Sequence, residues 1–304
     1  MIASAGSALL AALALGLGAT GAQAERASTA DNAAKPVNLS APGAIAKMVV
    51  SPNWSGYVAK APTTSSFTEP YFTRVTGTWT VPPAHCGRAK ERDASSTVWV
   101  GIGGYATRNQ EEVGTDSNCS KSGKPIYYAW FELVPYLSYQ TFPNIKDKVE
   151  PGDTVTGLVQ IVSPTLVKLQ IRNRTRGWTF TRKITFSSQD TSTADWVVEA
   201  PATCIQYTCK QASLANFGAV TMRDISAVAR GAAGTLRDPR WKVLPVRLVP
   251  SKLIVPTISP TATVAGPGGK RGQAKSPAGA TPGPVSRDGK SFSLKWVAVA
   301  TRGL

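Results

Sequence analysis

Leu166-Val-Lys-Leu-Gln-Ile-Arg-Asn173 alternates apolar and polar side chains. Successive side chains of a strand point to opposite faces, so Val167, Leu169 and Ile171 share one face and Lys168, Gln170 and Arg172 the other. One face is expected to be buried and the other wet. That is the pattern of a sheet covering a core on one side, as in a sandwich; a parallel strand buried on both faces would be apolar throughout.

Working outward, further short runs rich in aromatic and β-branched residues are bounded by Gly, Pro and Asn, which signals strands and turns. On the N-terminal side they are Trp54-Ser-Gly-Tyr-Val58, Val75-Thr-Gly-Thr-Trp-Thr-Val81, Ser96-Thr-Val-Trp-Val-Gly-Ile102, Ile126-Tyr-Tyr-Ala-Trp-Phe-Glu-Leu133 and 154–162. On the C-terminal side they are Trp178-Thr-Phe-Thr181, Trp196-Val-Val-Glu199, Gly218-Ala-Val-Thr-Met222 and Ser291-Phe-Ser-Leu-Lys-Trp296. Few windows show helical spacing. Many short strands with Gly/Pro turns indicate an all-β sandwich or barrel.

The ends of the chain read differently. Residues 8–17 form a short apolar run followed by small residues ending in Ala22-Gln-Ala24, the small-x-small pattern of a cleavage site. Residues 1–24 are therefore expected to be a signal peptide, 25–50 a leader or short propeptide, and 51–304 the β-sandwich domain. Within that domain, 259–287 is low in complexity and is expected to be a flexible loop before the last strand. No later run approaches the roughly 18 apolar residues of a membrane-spanning helix, so a soluble, secreted protein is expected.

The net charge is +16, from 34 Lys and Arg against 18 Asp and Glu. A basic chain can seek an anionic partner, but the cations form no dense run and accompany no nucleic-acid motif. The expectation is a solvated basic surface, with neither nucleic acid nor membrane as partner. Four cysteines, Cys86, Cys119, Cys204 and Cys209, are an even count in an exported chain and suggest disulfides. Three connectivities are possible, and Cys86–Cys119 with Cys204–Cys209 is favoured. A lone histidine and the lack of a C-x-x-C pair argue against zinc.

Much chemistry is excluded. The only histidine, His85, precedes Cys86, and no G-x-S-x-G elbow is present, which leaves a serine triad without parts. Paired cysteines leave no thiol nucleophile. Phosphate-binding, dinucleotide and H-E-x-x-H motifs are missing. Hydrolytic chemistry must then rest on carboxylates, without metal or cofactor. Glu112, Glu132 and Glu199 stand out because each sits in an apolar or aromatic run, where desolvation suits a carboxyl to proton transfer in mild acid. Trp79, Trp178, Trp196 and Trp296 read as packing residues, whereas the Tyr127, Tyr128, Trp130, Phe131 cluster alternates between core and a cleft.

Several motifs together resemble the glutamic peptidases, or eqolisins, in their bacterial form. In order they are Asn53-Trp-Ser-Gly-Tyr57, Thr78-Trp-Thr-Val-Pro82, Trp99-Val-Gly-Ile-Gly-Gly104, Tyr128-Ala-Trp-Phe-Glu132 with Pro135, Asp195-Trp-Val-Val-Glu199 and Asn216-Phe-Gly-Ala-Val-Thr221. The resemblance implies two packed antiparallel sheets of jelly-roll or lectin-like type and a monomeric endopeptidase acting on proteins or peptides in acid. Glu199 falls on the family's catalytic Glu, the general base. Trp99, Glu132 and Asp116 fall on residues that line or support the site.

The sequence departs from the family at the second catalytic position. The family Gln stands two residues before a glycine; here that glycine is Gly114 and the residue is Glu112, with Gln110 two further back. The Asp of the W-V-G-I-D-G segment is replaced by Gly103. Three readings follow. Glu112 works as a protonated stand-in for the carboxamide, since a carboxyl in that state offers one donor and an acceptor. Alternatively, a local shift brings Gln110 into the family position. In the third reading the site is impaired, and the sandwich binds peptide or carbohydrate.

Overall fold

In the computed structural model, Val167, Leu169 and Ile171 are buried while Lys168, Gln170 and Arg172 are not, as their alternation predicts. The structure describes residues 45–62, 70–87, 92–107, 109–141, 148–205, 208–249 and 278–298, with the backbone alone over 203–205 and 208–210. The expected signal segment and most of the expected leader lie outside these residues. In chain order the strands are β1 (Val49–Ser51), β2 (Trp54–Lys60), β3 (Phe72–Thr80), β4 (Ala94–Ser95), β5 (Thr97–Gly103), β6 (Gln110–Cys119) and β7 (Pro125–Val134). Next come β8 (Leu137–Thr141), β9 (Thr154–Ser163), β10 (Leu166–Asn173), β11 (Trp178–Thr185), β12 (Thr193–Glu199), β13 (Ala202–Ile205) and β14 (Thr208–Gln211). The remaining strands are β15 (Ser213–Leu214), β16 (Ala219–Ala229), β17 (Ala232–Gly234), β18 (Lys242–Leu248), β19 (Ala278–Pro282) and β20 (Phe292–Ala298). The described residues contain no helix.

One hydrogen-bonded path runs β11-β10-β9-β3-β16-β20-β19-β18-β2-β12-β5-β6-β7-β8. It doubles back on itself, so that β3, β9 and β10 pack against β5, β6 and β12. The two layers enclose one apolar core in which Trp79, Trp196, Phe72, Ile171 and Met222 are fully buried. This is the two-layer β-sandwich expected from the sequence. Its main ladders are antiparallel; the short pairs β1–β18 and β15–β4 are parallel.

Two boundaries differ from expectation. Ile45 already bridges to Val243, and β1 pairs with β18, so the last residues of the expected leader belong to the sheet. Within the stretch expected to be a loop, Ala278-Gly-Ala-Thr-Pro282 forms β19, which lies between β18 and β20. Low-complexity composition misleads here because Ala278, Gly279 and Ala280 are buried: small side chains fit where the sheet turns from one layer to the other, yet carry no strand propensity. The rest of that loop up to residue 277 lies outside the described residues.

Cys86 and Cys119 form a disulfide, with Cα atoms 5.4 Å apart. It lies in a small buried cluster with Ala84, Ala94 and Ala215 at one end of the sandwich. In the β13–β14 hairpin the backbones of Cys204 and Cys209 are directly opposed; their side chains lie outside what is described.

Candidate active site

The strands β2, β12, β5, β6 and β7 turn one face to the core and carry a second set of side chains on the other. Strand parity decides which residue goes where. Val98, Val100, Val113, Phe131, Trp196 and Val198 enter the main core. Their neighbours Trp54, Trp99, Trp130 and Val197 form a separate cluster on the opposite face. That outer face also holds Glu199, Asp195 and Glu132, each two residues from a member of the cluster, and Glu112 and Asp116, each two residues from Gly114, which pairs with Trp99 and Trp130.

Register aligns these residues in rows across the strands. One row joins Trp54, Glu199, Thr97, Asp116 and Tyr128. Another joins Val58, Asp195, Gly101, Glu112 and Glu132. Trp99 bridges the two. Its indole N–H donates to Glu199 Oε2 at 3.0 Å. The far edge of the ring lies over Gly101, where a Cβ would stand 3.0 Å from Trp99 Cζ3 and 3.3 Å from Glu112 Cβ. Gly114 leaves room for this packing: a Cβ there would come within 2.7 Å of both Trp130 Cζ2 and Trp99 Cβ.

Glu199 is held from two sides. Besides Trp99, the Asn53 amide donates to Oε1 at 2.8 Å, and Asn53 is in turn held by Ser51. Two N–H donors aimed at one carboxyl are the surroundings of an acceptor carboxylate. Glu112 is in the opposite situation. It is buried, it faces Glu132 directly across the ladder, and its Oε2 has no protein partner. Burial pushes its carboxyl well above the usual carboxylate range, and the charges of Glu132 and Glu199 push it further. Its proton bonds to Glu132, which burial also raises, though the Tyr139 backbone and that same bond offset part of the effect. Two facing carboxyls cannot both ionise cheaply, so the pair retains a proton and Glu112 carries it.

Asp116 accepts from Tyr139 Oη at 2.8 Å and from Asn118 Nδ2 at 3.0 Å. Burial outweighs these bonds and holds it at about 6. Asp195 is fully buried and accepts from Thr193 Oγ1 at 3.0 Å; burial raises it well above the usual range despite that bond. Among the described residues no cluster of His, Cys, Asp and Glu is arranged to hold a metal ion.

The sequence model of the Peptidase A4 family matches residues 52–242, most of the chain. The chain belongs to the peptidase A4 family. Solved structures of scytalido-glutamic peptidase carrying transition state analogues share its fold, with TM-score 0.56 at 21% and 22% identity; the match covers 82% of this chain and 100% of theirs. SCP-B, described as an eqolisin and solved with the tripeptide Ala-Ile-His, matches over the same shares with TM-score 0.54 and 20% identity. No curated protein matches in sequence.

Against the A4 pattern, the structure brings Glu199, Trp99, Glu112, Glu132 and Asp116 onto one face. Gln110 is on that face too, but one pleat beyond Glu112, paired with Gly103 and Val134. Its amide lies against Gly104, and neither amide atom has a partner. Gly103 has φ +79°, and a Cβ there would meet Asp190 O at 2.4 Å and Asn109 O at 2.6 Å. Gly at this position suits a backbone turn that a side chain would strain. Sequence reading overlooked Asp195 as a member of the site. The signal was its parity with Val197 and Glu199.

Proposed function

We propose that the chain is an endopeptidase that hydrolyses protein or peptide substrates in acid, outside the cell, with Glu199 as general base and Glu112 as a protonated replacement for the family amide. One observation carries this reading: a carboxyl held by two N–H donors shares its face with a second carboxyl whose surroundings keep it protonated. A carboxyl held as an acceptor and a second one kept protonated can divide the roles of base and acid.

In the proposed reaction Glu199 takes a proton from water as the water oxygen bonds to the scissile carbonyl carbon. In acid Glu132, which burial also raises, holds a second proton and donates it to one Glu112 oxygen, so the Glu112 O–H at Oε2 is left to donate to the oxyanion that forms at the carbonyl oxygen. Collapse of the intermediate re-forms the carbonyl and breaks the C–N bond, and Glu199 delivers its proton to the departing nitrogen. The products are one carboxylic acid and one amine. A positioned donor of this kind is worth on the order of a hundredfold or more in rate. Trp99 and Asn53 hold the base in place. The buried Cys86–Cys119 disulfide suits an oxidising, extracellular setting.

The test is cleavage of a denatured protein between about pH 2 and 7, which brackets carboxyl titration, by the parent chain and by Glu199→Gln. Cleavage in acid by the parent and none by the folded variant is expected. Undiminished cleavage by the variant would overturn the assignment of the base. No cleavage by the folded parent would leave a binding protein for peptide or carbohydrate.

A further inference from the structure

The two layers of the sandwich carry opposite charge. The five central strands of the site layer, β2, β12, β5, β6 and β7, contain Asp195, Glu199, Glu111, Glu112, Asp116 and Glu132 but only one cation, Lys60. In the opposite layer, β11, β10, β9, β3 and β16 contain a single carboxyl, Asp224, against six Lys and Arg. Five of these cations, Lys183, Lys168, Arg74, Arg172 and Arg223, alternate with core residues and so point away from the interior.

Register arranges the outer face in three rows. Lys183, Lys168, Gln160 and Arg74 are successive neighbours across four strands. Arg172, Thr156, Thr78 and Arg223 form a second cationic row. Between them lie Thr181, Gln170, Leu158, Thr76 and Ser226. Neighbouring positions within a row are about 5 Å apart and the two cationic rows about 13 Å apart, from strand spacing and rise. Like charges directly opposed on a ladder are destabilising, yet Lys168 faces Lys183. Among the described residues no carboxylate pairs with any of the five; Asp224 lies nearest Arg174. An external anion would relieve this repulsion.

The chemistry of the face narrows the partner. Trp178 and Phe180 of β11 pack against the core, leaving the face without an aromatic platform for bases. Its middle row is hydroxyl and amide with one half-buried Leu158, unlike the apolar stripe of a membrane-seated surface. Two lines of cations flanking hydrogen-bonding side chains complement a hydroxylated chain that bears anionic groups at intervals. We propose that this face docks an acidic polysaccharide, a linear glycan with carboxylate or sulfate groups. Since the layers face away from each other, a molecule seated this way presents Glu199 and Glu112 on its far side.

Dextran sulfate, with neutral dextran as control, serves as the probe, and affinity is measured at about 50 mM salt and above, where counterion release makes charge-driven binding most visible. The folded parent is compared with Lys168→Gln/Lys183→Gln/Arg74→Gln and with Lys47→Gln/Lys121→Gln/Lys124→Gln, which removes the same charge from exposed positions elsewhere. Dextran sulfate binding that weakens with salt, falls at least about tenfold in the first variant and stays within about twofold in the second is expected, with cleavage unchanged in both. No binding, or equal loss in the two variants, overturns the proposal. So does tighter binding to single-stranded DNA or to anionic lipid vesicles through the same residues, which would assign the face to those partners.

Discussion

Glu111 and Glu112 are adjacent in the chain, but the pleat sends one into the core and the other onto the site face. Glu112 belongs to the proposed chemistry, and its proton is the functional element. As pH rises and that proton leaves, the donor to the oxyanion is lost and cleavage is expected to fall. Glu112→Gln replaces the titrating donor with a fixed one, so a pH–rate profile should show activity retained and extended to higher pH; complete loss of cleavage would refute the role given to Glu112. Glu111 has no such use. It is fully buried between Ile102 and Leu133, and neither carboxyl oxygen has a partner. Burial raises it well above the usual range, with the Asp190 charge adding to the effect. A carboxyl raised in the folded state gives stability that is complete below its unfolded value and is lost as pH rises toward the folded one. The slope is about 1.4 kcal/mol per pH unit for each group. Glu111→Gln is therefore expected to raise the melting temperature at pH 7 and leave it nearly unchanged at pH 3; equal shifts at both would contradict the linkage.

At the scale of the element, β6 shows what alternation can and cannot reveal. Its site face is Gln110, Glu112, Gly114 and Asp116, and the strand works because Gly114 lets Trp99 and Trp130 close over it. Gly114→Ala is expected to cost about 1–3 kcal/mol by overpacking and to lower turnover by displacing the Trp99 N–H from Glu199. Thermal melts and cleavage assays measure the two effects separately, and an unperturbed variant would show that the cluster has slack. The alternation in β10 was legible from sequence because apolar and charged residues take strict turns there. β19 was not, since Ala, Gly, Thr and Pro pack at a bend through smallness rather than hydrophobic character. The motif order pointed to Glu199, Trp99, Glu132 and Asp116 as neighbours, and the structure gathers them on one face. The pairing of Glu112 with Glu132, and the distance of Gln110 from it, needed the register of β6 against β7, which no single strand encodes. Asp195 was missed because it was read as part of a motif rather than as a side chain with its own parity.

For the whole molecule these local shifts add. Glu111, Glu112, Asp116, Glu132 and Asp195 are all raised, chiefly by burial. Four carboxyls run the other way: Asp153 and Asp238, where burial works to raise them but hydrogen bonds from Asn173 and Arg176, and from Arg240, lower them overall, and the more exposed Glu150 and Asp288, lowered first by the bonds of Lys148 and Ser286. Those four contribute stability above the usual carboxylate range that is lost in strong acid, whereas the five contribute stability that is lost on going to neutral pH. Because the five are the more numerous and more deeply buried, the melting temperature is expected to be higher near pH 4 than near pH 8; a midpoint that rises steadily toward neutrality would contradict the burial of these acids. The charge division between the layers is also a property of this scale, invisible along the chain because each layer gathers strands from distant segments. The last feature concerns timing. The seam joining the two layers is β19 and β20, the last strands in chain order among the described residues, and without them the hydrogen-bonded path separates between β16 and β18. A growing chain therefore cannot close its core until β20 has been synthesised.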